Sequence, residues 1–137
     1  MKRDMDLVRE ILLKIEKAKP FEEIRDLKID GYDKSKIAYH CELLYRANFI
    51  KKYEAIGIDN LDVPVSFWVQ DLTWEGQDFL ETIREKTIWD NTKKVISEKG
   101  LPMVVGTIKT IASAFITAAA EGVANSIIKN GGLGNAN

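Results

Sequence analysis

One cysteine and one histidine occur in the 137 residues, and they are neighbours, His40 and Cys41. A single thiol excludes an internal disulfide and suits a reducing compartment, with the cytoplasm the natural setting. The two together cannot supply the four ligands of an ordinary zinc site, so neither metal nor cofactor is expected. A surplus charge is lacking as well: 20 Lys and Arg face 21 Asp and Glu, a net charge of −1. That total singles out neither nucleic acid, membrane surface nor acidic ligand. In the apolar C-terminal part, the longest uncharged run, Thr110 to Ala120, is 11 residues. A bilayer-spanning helix needs about 20, so no membrane span is expected. The opening MKRDMDLVRE is charged from the start and lacks the apolar stretch of a secretory signal. P-loop, dinucleotide fingerprint and HExxH are all missing, and no Ser or Cys sits in a Gly-rich elbow. An enzyme is not expected.

What is present is organised around Asp33 to Lys52, DKSKIAYHCELLYRANFIKK. Asp33 suits an N-cap, where its carboxylate accepts from first-turn N–H groups. Ile37, Cys41 and Leu44 then form one apolar stripe at i, i+4 and i+7, which makes Cys41 a buried small hydrophobe rather than a nucleophile. Asn48 stands where the helix should stop, in the left-handed position that asparagine tolerates better than other non-glycine residues. Phe49 and Ile50 return to the core. The stretch resembles the recognition helix of winged helix-turn-helix repressors, whose pattern places His40, Leu44, Ala47, Phe49 and Ile50 in register. A full helix-turn-helix also requires a second helix just before this one. Phe21 to Tyr32, FEEIRDLKIDGY, offers either a very short helix over Phe21–Leu27 or a strand, with Leu27 and Ile29 alternating.

The remaining elements follow from periodicity. Asp4 to Ala18 reads as a helix buried along Leu7, Ile11 and Ile15, capped by Asp4 or Asp6 and stopped at Pro20. Ile50–Ile56 and Val65–Leu72 read as an antiparallel hairpin, with Phe67 and Val69 turned inward and GIDNLDVP as the candidate wing. Thr73 caps a long helical stretch whose break is expected near Thr87 to Asn91, and Gly100 with Pro102 ends it. From Leu101 the composition turns apolar and rich in small residues. Val105, Ile108, Ala112, Phe115, Ala119, Val123 and Ile127 recur at spacings of three and four, a heptad-like seam suited to an oligomer interface. Residues 1–100 thus form a first domain, 101–130 an apolar assembly helix, and 131–137 (GGLGNAN) a flexible tail. The expected class is α+β, mainly α: a winged-helix-like core with a small antiparallel hairpin and a C-terminal apolar helix.

For nucleic-acid binding, Lys34, Lys36, Arg46, Lys51 and Lys52 outnumber the single Glu42 of their stretch. Ser35, Lys36, Tyr39 and His40 occupy the first turns, the part of such a helix that meets base edges. Opposing this, Glu54 to Glu81 holds seven acids and no Lys or Arg, and Asp59 and Asp62 would repel phosphates from the wing.

A wider resemblance rests on MKRDMDLVREILLKIE, YHCELLYRANFI and above all DLTWEGQDFLETIREKTIWDNTKK, with the Leu72–Gly76 run and Trp89 most specific. These blocks resemble an uncharacterised family of small phage- and prophage-encoded bacterial proteins over about Met1 to Gly100. The resemblance implies a winged-helix-like core and a bacterial or phage setting, and carries no catalytic residues. Two functions are expected in parallel. One is a DNA-binding or regulatory module that binds duplex DNA and self-assembles, as a dimer first, through its C-terminal helix. The other is a module that binds and modulates a host or phage protein without DNA.

Overall fold

The computed structural model describes residues 1–58 and 64–130. It is α+β and mainly helical, with a three-stranded antiparallel sheet and an apolar C-terminal helix. The chain divides into two compact units, Met1–Glu81 and Thr82–Asn137. That division lies ahead of the boundary expected at residue 100, because the helix after Glu85 packs with the C-terminal helix.

In the first unit, α1 (Met5–Glu16) begins at Asp4, whose carboxylate accepts from the Leu7 N–H at 3.2 Å. Its apolar stripe, Leu7, Val8, Ile11, Leu12 and Ile15, is wholly buried. β1 (Glu23–Arg25) follows and pairs with β3 (Pro64–Leu72), which also pairs with β2 (Ile50–Ile58), so the strand order is β1-β3-β2. The strand over Leu27 and Ile29 suggested by alternation does not form. The chain leaves the sheet at Asp26, which has φ +49°. Its N–H donates to the Phe67 carbonyl at 2.7 Å, and its carboxylate accepts from the Phe67 N–H at 2.9 Å. Asp26 thereby consumes the backbone groups of β3 that a longer strand would need. Leu27 then drops into the core, and no helix stands between β1 and the next helix.

That next helix, α2 (Lys34–Arg46), starts on Asp33 as expected, with the Lys36 N–H donating to its carboxylate at 2.8 Å. It ends on Asn48 at φ +64°. The Asn48 N–H reaches the Tyr45 carbonyl and the Phe49 N–H reaches that of Leu44, so the last turn is closed by its own chain. Ile37, Cys41 and Leu44 are buried, as are Phe67 and Val69 of β3. Phe49 is only half buried and stacks on Phe79 with centroids 5.3 Å apart. The candidate wing around Asp59 and Asp62 lies outside the described residues, and so does the tail 131–137.

Helix α3 (Trp74–Ile83) is locked to the end of α2 by Thr73. The Thr73 hydroxyl donates to the Asn48 carbonyl at 2.6 Å and accepts from the Gly76 N–H at 2.9 Å. Its own N–H reaches the Phe49 carbonyl at 3.1 Å. Gly76 is required there, since a Cβ would lie 2.1 Å from the Phe49 oxygen.

In the second unit, the helical break falls at Arg84–Glu85, earlier than the expected Thr87 to Asn91. Glu85 adopts extended backbone and caps α4 (Lys86–Glu98) by accepting from the Ile88 N–H at 2.8 Å, which sets the break there. Gly100 at φ +64° closes α4, and α5 (Val105–Lys129) packs along it. Trp89, Thr92 and Ile96 of α4 are buried, together with Ile108 and Ala112 of α5.

Candidate interaction surfaces

The α2 surface gathers the residues read as a nucleic-acid site, but its cations are engaged with neighbouring carboxylates and rings. Lys34 pairs with Asp26 at 3.5 Å and Lys36 with Asp4 at 3.1 Å. Arg46 pairs with Glu42 at 3.0 Å and Lys52 with Glu54 at 3.4 Å. Lys51 lies 5.7 Å from the Phe21 ring centroid, and Lys36 also stands over Tyr32 at 5.2 Å. Exposed ion pairs of this kind contribute about 0–1 kcal/mol to stability. For recognition they matter more, because four of the five cations already have a local carboxylate in place of a phosphate. Ser35 is half buried and Tyr39 exposed, so the outward face of α2 runs Ser35, Tyr39, Glu42, Arg46 and is close to neutral.

His40 has to be removed from the candidate readers. It is fully buried, with Nε2 accepting from the Asp4 N–H at 2.8 Å and Nδ1 2.8 Å from the Lys36 carbonyl. That pairing fits one neutral tautomer, in which Nδ1–H donates and Nε2 accepts. Burial holds its pKa below the ordinary value, outweighing the Lys36 carbonyl and Asp4, which favour the charged form. The histidine ties α1 to α2 and cannot meet a base edge. Its neighbour Cys41 is buried and its thiol is pushed up to about 12, which suits a core residue and not a nucleophile.

The seam on α5 divides in two. Ile108 and Ala112 are covered within the chain and are not available to another copy, which corrects their place in the expected oligomer interface. Val105 and Phe115 are half buried. From Thr117 to Asn130 every residue is exposed, including Ala119, Val123 and Ile127 of the same seam. Helix lengths account for the division. The 13 residues of α4 extend about 20 Å and the 25 of α5 about 37 Å, so α4 can cover only half of its neighbour. By length and composition alone, the 25 residues of α5 suffice to cross a membrane, which the longest uncharged run had not suggested.

Two exposed aromatic residues escaped the sequence reading. Trp74, the first residue of α3, is 80% exposed, and Phe21 is 72% exposed. Phe21 has φ +67° and is held by two side chains of β3. Its N–H donates to Asp71 at 3.1 Å and its carbonyl accepts from Gln70 at 3.0 Å. For Trp74 a signal was available: Gln77 and Asp78, three and four residues on, are polar, whereas Gly76, Phe79 and Leu80 define the buried side. Among the described residues, no group of acids, His and Cys is arranged to hold a metal ion.

Comparison with known proteins places this geometry in a family. The family model described as hypothetical protein (DUF2513) matches residues 2–102. A Haemophilus influenzae (strain ATCC 51907 / DSM 11121 / KW20 / Rd) protein described as uncharacterized is 35% identical over 118 residues, covering 85% of this chain and 97% of its own length. No solved structure matches the chain.

Proposed function

The chain belongs to the DUF2513 family, and we propose that it is a protein-interaction module that self-assembles through the second half of α5. In this reading it binds and modulates a host or phage protein in the bacterial cytoplasm, with no cofactor and no catalysis. The observation that carries it is the uncovered seam, which continues the stripe occupied by α4 for another three turns along Ala119, Val123 and Ile127. Apolar helix faces of this kind gain stability when another helix covers them. The α2 surface supports the same reading, since four of its five cations are paired with carboxylates and its histidine is internal.

A second reading has its own support in the chain order. Helix, strand, helix and hairpin, with strand order β1-β3-β2, is the order of a winged-helix-like core without its second helix. On that reading Lys34, Ser35, Lys36, Tyr39, Arg46, Lys51 and Lys52 contact duplex DNA. The space before α2 is an open cleft of about 590 Å³ bordered by Asp26 to Tyr32. A pull-down from bacterial host lysate, with and without nuclease, separates the two. One stoichiometric protein that survives nuclease supports the interaction module; recovery that depends on DNA supports the winged helix.

A further inference from the structure

The Leu72–Gly76 run has an internal task at nearly every position. Leu72 is buried, Thr73 caps α3 and clamps the end of α2, and Gly76 makes room for the Phe49 carbonyl. Glu75 accepts from the Asn48 side-chain amide at 3.4 Å. Trp74 is the exception. It is the most exposed of the chain's large apolar side chains among the described residues, although burying an indole is among the most stabilising moves open to a sequence.

We infer that the outer face of α3, headed by Trp74 and Asp78, is a docking surface for an arginine-bearing basic segment of a partner protein. The inference rests on the interaction-module reading and names one of its surfaces. Trp74 and Asp78 stand at i and i+4, so a guanidinium laid on the indole face reaches the carboxylate one turn away. Glu75 flanks them, and no Lys or Arg occurs between Tyr53 and Ile83. Among the described residues, neither Glu75 nor Asp78 makes an ion pair. The two full negative charges exceed the roughly half-unit positive charge of the helix start. The chain's own packing shows what such rings attract: lysines stand over Tyr32, Phe21 and Trp89 at 5.2, 5.7 and 5.5 Å. Trp74 has an open ring, two acids and no cation. Arginine fits this arrangement better than lysine, because its planar group stacks on the indole while its edge donates two hydrogen bonds to a carboxylate. Nucleic acid is the wrong partner for the same face, since both acids repel phosphate.

The test is a titration of the full-length protein with a short peptide of alternating arginine and glycine, followed by the Trp74 indole N–H signal in NMR. The glutamate–glycine counterpart serves as the control peptide. The arginine peptide is expected to shift that signal and Asp78→Asn to weaken its binding about tenfold; Trp74→Ala, which removes the reporter, is titrated by calorimetry with the same loss expected. Glu98→Gln removes the same charge from an exposed site elsewhere, and should leave the affinity unchanged. An unmoved Trp74 signal at millimolar peptide, or equal weakening by Glu98→Gln, overturns the inference. If the protein self-associates in light scattering while the titration is blank, this surface fails and the interaction module stands.

Discussion

The backbone N–H of Asp4 donates to Nε2 of His40 across 36 positions of sequence, at 2.8 Å. This bond fastens the start of α1 to the middle of α2, and it exists only while the imidazole is neutral. Protonation would remove the acceptor and place a charge in the core. The folded-state pKa lies below the unfolded one, so above about pH 6.5 the neutral form is present in both states and stability is complete. As pH falls through the unfolded value, the unfolded chain takes up a proton that the folded chain refuses. Stability should drop by up to about 1.4 kcal/mol per pH unit until the folded pKa is reached. Denaturant midpoints measured between about pH 8 and pH 5 check this. His40→Gln should lower stability throughout and flatten the profile. Below about pH 4 a further loss is expected. The Phe67 N–H and Lys34 hold Asp26 below its usual range; at Asp4, burial raises the pKa but the Leu7 N–H and Lys36 outweigh it.

His40 also marks where sequence reading reaches its limit. Local patterns were legible: the Asp33 cap, the Ile37–Cys41–Leu44 stripe, the left-handed Asn48 and the inward Phe67 and Val69 all follow from neighbours within a few residues. The histidine fitted a recognition-helix pattern equally well, and only a partner on another helix decides that it points inward. The same holds for β1, which exists because Asp26 meets Phe67 across the sheet. The division of the α5 seam was hidden for the same reason: that Ile108 and Ala112 are covered by α4 depends on the contact between two helices and not on the pattern of either one.

The junction of α2 and α3 should be intolerant of small changes. In Gly76→Ala the new methyl would meet the Phe49 backbone carbonyl at 2.1 Å, so backbone and not a flexible side chain must yield. A cost of about 1–3 kcal/mol is expected, in the range of overpacked sites. Thr73→Ala leaves the Gly76 N–H without its capping oxygen and should cost about 0.5–2 kcal/mol. Equilibrium urea unfolding monitored by circular dichroism measures both. Wild-type stability in Gly76→Ala would mean that α3 does not approach Phe49 this closely.

Duplex binding is expected to be weak and without sequence preference. Four of the five cations around α2 already face carboxylates, so few phosphate contacts are free to form and the salt dependence should be shallow. Gel-shift titrations over a range of salt, with random and native-neighbourhood fragments, test this. A tight complex with a steep salt slope, selective for one fragment and lost in Lys36→Ala or Tyr39→Ala, would reverse the order of the two functional readings. Lys36→Ala should instead act on the fold, by breaking the pair with Asp4 at the start of α1.

The two halves of α5 should respond differently to the same chemistry. Ile108 is fully buried where α5 packs with α4, so Ile108→Asp forces a carboxylate into an apolar contact and should melt the α4–α5 pair. Val123 is 60% exposed, so Val123→Asp changes nothing inside one chain and should leave helicity intact. Its effect is expected between chains. Light scattering of the wild type should report an assembled species, with a symmetric dimer the commonest form for such contacts. Val123→Asp should shift it to the monomer at the same concentration. Phe115 sits at the boundary and is half buried, so Phe115→Asp should do both, loosening the hairpin and weakening assembly. The order of effects matters more than any one of them. If the wild type is monomeric at every concentration, or Val123→Asp assembles as well as the wild type, the exposed seam is not what joins the copies.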